Sequence, residues 1–187
     1  MPTSKSEKRA RLIRTAVKLA YRHGFRATSI ADIAEAAKVP VGNVYYYFKT
    51  KDEIGEAIVE QRLLEFRALR EQWDSKGFPK ERLQACVENT LGNRDMLARG
   101  GCAFGTLCTE LHKDGGPLAE KSTALFGGLL AWIEDQFRAD GHRDDSRGLA
   151  IHLLSALQGV SVLAHGFREP ELVVMETKRL QDWIRAM

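Results

Sequence analysis

The sequence predicts an all-α fold, a three-helix head containing a helix-turn-helix followed by a six-helix body. Three observations carry that prediction. Apolar residues recur at helical spacing through most of the chain, with no convincing strand, internal repeat or low-complexity tract. Glycines and prolines punctuate that pattern at helix-length intervals. Basic residues are concentrated at the N-terminal end, in the segment that also carries two short helices joined by a tight turn.

The first helix runs to about His23, with Leu12, Ile13, Ala16, Val17, Leu19 and Ala20 as its buried stripe. Gly24 followed by Phe25 suits a C′ glycine and the hydrophobic residue after it. The second helix spans about Ser29 to Lys38: Ser29 is a good N-cap with Asp32 three residues on, and Ile30, Ile33, Ala34 and Ala37 share a face. Val39 and Pro40 interrupt it, because proline disfavours helical backbone in the residue before it and suits a helix start. The third helix, about Val41 to Phe48, is apolar at Val41, Val44, Tyr45 and Phe48, with Gly42, Asn43, Tyr46 and Tyr47 left to face elsewhere. The second and third together read as a helix-turn-helix.

Asp52 is positioned to cap a fourth helix that continues to about Trp73 without a flexible linker, so movement of that helix would be transmitted to the head. Pro79 opens a fifth, to about Ala98. A sixth covers about Cys102 to Lys113, and a seventh opens at Pro117 and closes at Gly141. Helices eight (about Asp145 to Gly166) and nine (about Glu171 to Ala186) complete the body. The expected domains are 1–50, the head, and 51–187, the body.

Composition narrows the classes. The chain has 187 residues, 44% of them hydrophobic, enough for a sizeable core. Residues 1–51 carry eleven Lys or Arg against three acids, a net of +8, and the remainder carries 17 basic and 22 acidic residues, a net of −5. A basic head on a mildly acidic body points to a polyanion partner for the head alone. The N-terminal segment lacks an apolar signal core, so a cytoplasmic location is expected. Leu149 to Phe167 is long and apolar enough to span a membrane, but His152, Ser155, Gln158, Ser161 and His165 make that costly; no membrane partner is expected.

Three cysteines, Cys86, Cys102 and Cys108, without CxxC spacing argue against a disulfide framework or structural zinc. Cys108 and His112 share a helix face, yet no further ligand accompanies them, so neither metal nor cofactor is expected. No GxxxxGK[ST], GxSxG or HExxH pattern occurs, which argues against an enzyme.

The head resembles the tetracycline-repressor (TetR) family of bacterial transcriptional regulators. Gly24, Thr28, Ile33, Ala34, Ala37, Val39, Gly42, Tyr45, Phe48 and Lys51, in that order, carry the resemblance, which covers about the first quarter of the chain. It implies a homodimer whose heads read a palindromic double-stranded DNA operator and whose bodies each hold a small-molecule effector. Early positions of the reading helix face the groove floor, so Val41, Gly42, Asn43 and Tyr46 are the expected base-edge contacts. Thr28, Tyr45, Tyr47 and Lys51 resemble the family's phosphate-contacting positions. Two departures stand out: Pro40 replaces the usual hydroxyl cap of the reading helix, and Tyr47 stands where histidine is common.

In the body, Gly101 to Leu111 resembles the branch that includes the N-ethylmaleimide-responsive and acrylate-responsive repressors, in which a GC pair opens the sixth helix. Cys102 at a helix N-terminus is then either a reactive thiol or a small buried hydrophobe, and both readings stay open. The effector, apolar or electrophilic, is expected among helices four to seven, with Phe66, Met96, Cys102, Phe104, Cys108, Phe126 and Trp132 as liners. Leu153, Leu157, Val160, Leu163, Leu172, Leu180 and Trp183 are the expected dimer contacts in a four-helix bundle made by helices eight and nine of two copies. The alternatives are a cysteine-based redox regulator without a reversible ligand, and a helical interaction module that does not read DNA sequence.

Overall fold

The computed structural model describes residues 5–187. Among them are ten helices and no strand: α1 (Lys5–His23), α2 (Ile30–Ala36), α3 (Val41–Tyr47), α4 (Lys51–Asp74), α5 (Pro79–Gly92), α6 (Arg94–Gly100), α7 (Ala103–Asp114), α8 (Pro117–Ala139), α9 (Ser146–Phe167) and α10 (Glu171–Ala186). The all-α class holds, and the body has seven helices rather than six. The long fifth helix expected from the sequence breaks at Asn93, whose backbone leaves helical geometry at φ −100°, ψ 11° and whose side chain donates to the Asn89 carbonyl at 2.6 Å. An asparagine that bonds backbone locally offers the chain an alternative to continuing the helix.

Two compact units form, drawn differently from the 1–50 and 51–187 division: Met1–Glu65 with Thr106–Leu125, and Phe66–Gly105 with Phe126–Met187. The first unit therefore contains not only the head but also the first part of α4, most of α7 and the start of α8. Its core includes Leu12, Ile33, Val44, Phe48, Ile54 and Ile58 together with Leu111 and Leu125.

Local chemistry sets the head's boundaries. Gly24 takes φ +88°, a left-handed conformation that a side chain would strain, and its N–H closes α1 on the Ala20 carbonyl at 2.9 Å. Ser29 and Asp32 form a reciprocal capping box on α2, Asp32 N–H to Ser29 Oγ at 3.1 Å and Ser29 N–H to the Asp32 carboxylate at 2.8 Å. The Ser29 hydroxyl and N–H hold the Asp32 carboxyl below the usual carboxylate range. In the turn, Lys38 is left-handed at φ 53°, and the Val39 N–H returns to the Ala34 carbonyl at 2.9 Å. Pro40 sits at the N-cap of α3 with no side-chain cap bond. Thr50, not Asp52, caps α4, accepting the Glu53 N–H at 3.1 Å, while Asp52 lies inside the first turn.

The second unit is built on a core of Phe66, Trp73, Leu83, Val87, Ile133, Phe137, Leu153 and Ile184 among others. One stripe of α9, including Ala150, Leu153, Leu157, Val160 and Ala164, packs inside the subunit, where α9 contacts α6 and α10. The left-handed cap residue of α9, Arg168, reaches back to bond the Arg99 carbonyl at 2.6 Å, satisfying an end of α6 that lacks intrahelical partners. The opposite stripe of α9 and the neighbouring part of α10 leave Ile151, Val162, Leu163, Phe167 and Met175 exposed. Helix α9 is also long and apolar enough to cross a membrane, but 39% of its most apolar window is buried inside the subunit, which suits a packed helix equally well.

Candidate nucleic-acid interface and body cavity

Helix α3 has one inward and one outward face. Of the four residues expected on its apolar face, Val44 and Phe48 are fully packed, whereas Val41 and Tyr45 are exposed, as are Gly42, Asn43 and Tyr46, and Tyr47 is half-buried. That division follows from helical periodicity: residues 44 and 48 lie one above the other, and the intervening positions point away. The Asn43 side chain is held by none of the described residues, and among them nothing beyond the backbone of α3 itself and the adjoining residues lies within 4 Å of where a Gly42 Cβ would project. Tyr46 is engaged by Lys5, whose ammonium lies 4.6 Å from the ring centre and holds the phenol below its ordinary pKa. Tyr47 meets Tyr46 edge-on at 5.2 Å.

Two expected phosphate contacts lie elsewhere in the geometry. Thr28 is buried, and its hydroxyl donates to the Gly24 carbonyl at 2.8 Å, because the last carbonyls of α1 need donors. Lys51 donates to the Arg26 carbonyl at 2.7 Å and lies over the Phe25 ring at 5.0 Å. Both side chains hold the α1–α2 turn in place.

The same turn is gripped by a residue that the sequence reading missed. Glu110 of α7 accepts the backbone N–H groups of Phe25 at 2.8 Å and Arg26 at 2.7 Å, and the Arg26 side chain pairs with Asp114 one turn further along. A carboxylate receiving two N–H bonds is a strong acceptor site. Glu110 is 85 residues from Phe25, so no local pattern could disclose it.

The second unit contains a cavity of about 160 Å³. Phe66, Met96, Cys102 and Phe104, four of the seven expected liners, face it; Cys108, Phe126 and Trp132 do not. Cys108 belongs to the first unit, where its thiol donates to the Ser122 carbonyl at 3.2 Å. Trp132 packs against Trp73 with ring centres 5.0 Å apart and planes tilted by 47°, and turns its indole N–H to Asp74, 2.8 Å away. Phe126 packs beside Gly105. The apolar wall also includes Leu69, Trp73, Leu129 and Leu154, and a polar arc of Asn89, Thr90, Asn93, Gln158 and Ser161 completes it. The sequence reading missed that arc. Asn89, Thr90 and Asn93 within one helical turn of one another, and Gln158 in an apolar helix, were the available signals.

None of the three cysteines is in a disulfide. Burial pushes the Cys86 thiol up to about 12, so it stays protonated and inert; Cys108 is also buried, and Cys102 is half-buried on the cavity wall. A maleimide pulse on the native protein at pH 8 is therefore expected to modify Cys102 first, with Cys86 and Cys108 following only in denaturant. Mass spectrometry of the peptides checks this, and equal native rates at Cys86 and Cys102 would contradict it.

A basic three-helix head whose third helix turns one face outward, followed by a helical body with a half-open cavity, defines a helix-turn-helix DNA-binding regulator. Residues 12–58 match the family model described as bacterial regulatory proteins, tetR family. The chain is 30% identical over 163 residues to the HTH-type transcriptional repressor ComR of Escherichia coli, covering 80% of this chain and 75% of that one. It is 30% identical over 124 residues to the transcriptional regulator AcuR of Cereibacter sphaeroides, where the match spans 65% of this chain and only 55% of that one. A TetR transcriptional regulator from Legionella pneumophila shares the fold, with a TM-score of 0.83 at 20% identity and 98% of each chain covered. The chain belongs to the TetR family of bacterial regulatory proteins, and it is a transcriptional regulator rather than an enzyme. Members of this family bind operator DNA, are typically dimeric and have small-molecule effectors.

Proposed function

We propose that the protein is a cytoplasmic homodimeric repressor that reads a palindromic operator and leaves it when a small molecule occupies the body cavity. The outward face of α3 is the observation that carries the DNA reading: Val41, Gly42, Asn43 and Tyr46 are exposed together on a basic head. Asn43 supplies a donor and an acceptor to a base edge, Val41 a methyl contact, and Gly42 a close backbone approach. Tyr45 and Tyr47 serve the backbone. Thr28 and Lys51 act by shaping the turn, with the unused donors of Lys51 available to phosphate.

The second copy is assigned to the exposed faces of α9 and α10. Of the seven residues expected there, Leu163 is exposed and Leu172 and Trp183 are half-buried, whereas Leu153, Leu157, Val160 and Leu180 are buried within one subunit. A helix that packs on two sides needs two apolar stripes, and periodicity alone did not separate them. Ile151, Val162, Leu163, Phe167 and Met175 form the stripe left for the partner.

Selection from a random-sequence DNA pool, followed by titration of the enriched sequence at about 50 and 200 mM salt, tests this reading. One palindrome should be enriched, bound far more tightly than random DNA, with affinity falling steeply as salt rises. No enrichment, or affinity indifferent to salt, would sink it.

A further inference from the structure

We infer that the cavity in the second unit takes an uncharged molecule of single-ring size carrying one hydrogen-bonding head group, which the Gln158 carboxamide receives. The inference rests on the cavity being a binding site and narrows its ligand to a chemical class. Four features lead to it.

The first is size: about 160 Å³ is close to the roughly 150 Å³ apolar cavity that suffices for benzene. The second is the wall. Phe66, Trp73 and Phe104 present rings, with Phe66 edge-on to both of the others at 6.2 and 6.1 Å, a surface suited to an aromatic or compact aliphatic body. The third is charge. No Asp, Glu, Lys, Arg or His is among the lining residues, so a carboxylate or ammonium entering it would lose its water without gaining a counter-charge.

The fourth is a half-buried polar group with no protein partner among the described residues. Among the described residues nothing hydrogen-bonds the Gln158 carboxamide or the Thr90 hydroxyl, although both line the cavity. Asn93 and Ser161 already spend donors on the Asn89 carbonyl at 2.6 Å and the Leu157 carbonyl at 2.7 Å, and the Asn89 side chain accepts a longer bond from Asn93 at 3.4 Å. A carboxamide offers both a donor and an acceptor, so an amide, alcohol, phenol or ketone can satisfy it. Gly105 leaves room for it: a Cβ there would lie 2.8 Å from the Gln158 carboxamide oxygen, so a larger residue would displace that group from its place against α7. The obstructed atom ends a flexible side chain, so Gly105→Ala turns the amide aside without disturbing the core.

Three single-ring probes test the assignment on the full-length protein without DNA, by calorimetry and by the fluorescence change expected from Trp73 on the cavity wall. Benzamide should bind saturably, one per chain. Benzoate, equal in size but charged, should bind at least about a hundredfold more weakly, and toluene about three- to tenfold more weakly than benzamide. Gln158→Leu should abolish the preference for benzamide over toluene, and Gly105→Ala should reduce benzamide binding while leaving toluene binding unchanged. Benzoate binding as tightly as benzamide, no saturable binding of either uncharged probe, or benzamide affinity unaltered by both substitutions would overturn the proposal. Benzamide that binds as expected yet leaves operator affinity unchanged would uphold the ligand class and instead refute release by cavity occupancy.

Discussion

Asn43→Ala is expected to cost about 1–3 kcal/mol of operator affinity at each half-site, so that a dimer engaging two loses roughly tenfold to hundredfold twice over. The loss should be confined to sequence-specific binding. Asn43 lies exposed on α3 with no partner among the described residues, so removing its side chain leaves nothing behind unpaired, and the urea-unfolding midpoint should barely move. Affinity for random DNA should stay as it was, because that binding rests on the basic residues of the head. Fluorescence anisotropy at one fixed salt concentration measures both. An equal loss on operator and random DNA would mean that Asn43 contacts the backbone rather than a base.

Gly55→Val is expected to destabilise the fold by about 2–3 kcal/mol, the upper part of the range for overpacked cores. Two terms oppose each other here. Valine in place of an internal helix glycine favours the helix by only about 0.3–0.5 kcal/mol, because its β-branch restricts χ1. Against that, even a Cβ at position 55 would lie 2.5 Å from Leu118 Cδ2 and 2.8 Å from Phe25 Cζ, inside any contact distance, and valine adds two more methyls. The clash wins because Phe25 cannot retreat freely: its ring is buried and its backbone N–H is held by Glu110. The displacement should therefore reach the α1–α2 turn and weaken DNA binding as well. Urea denaturation measures the loss, and Phe25→Leu should restore part of it by making room; a valine variant as stable as the parent would show that the contact is slack.

The head was largely legible in advance because its determinants are local. Ser29 and Asp32 are three residues apart, and Gly24 sits one residue beyond α1; on α3 the pair Val44 and Phe48, one helical turn apart, packs inward, whereas Val41 and Tyr45, grouped with them by the same pattern, are exposed. Legibility falls wherever a helix packs on two sides. On α9, Leu153 and Leu163 belong to the same apolar run, yet one is core and the other exposed. The break at Asn93 was missed because Gly92 and Asn93 look like a weak spot in a helix, not its end, until the Asn89 carbonyl is seen to take the side chain.

Sequence by itself determined that this chain is helical and that its basic end carries a helix-turn-helix, and it supplied the residues of α3 proposed to read DNA, since each depends on residues a turn or two apart. Only the tertiary structure decided that Thr28 and Lys51 brace a turn, that Glu110 grips it from α7, and that an uncharged polar arc closes a cavity walled by aromatic rings. The reason is physical. Periodicity tells which side of a helix avoids water, but whether that side meets core, cavity or partner depends on residues brought together from distant parts of the chain, as Gly105 and Gln158 are.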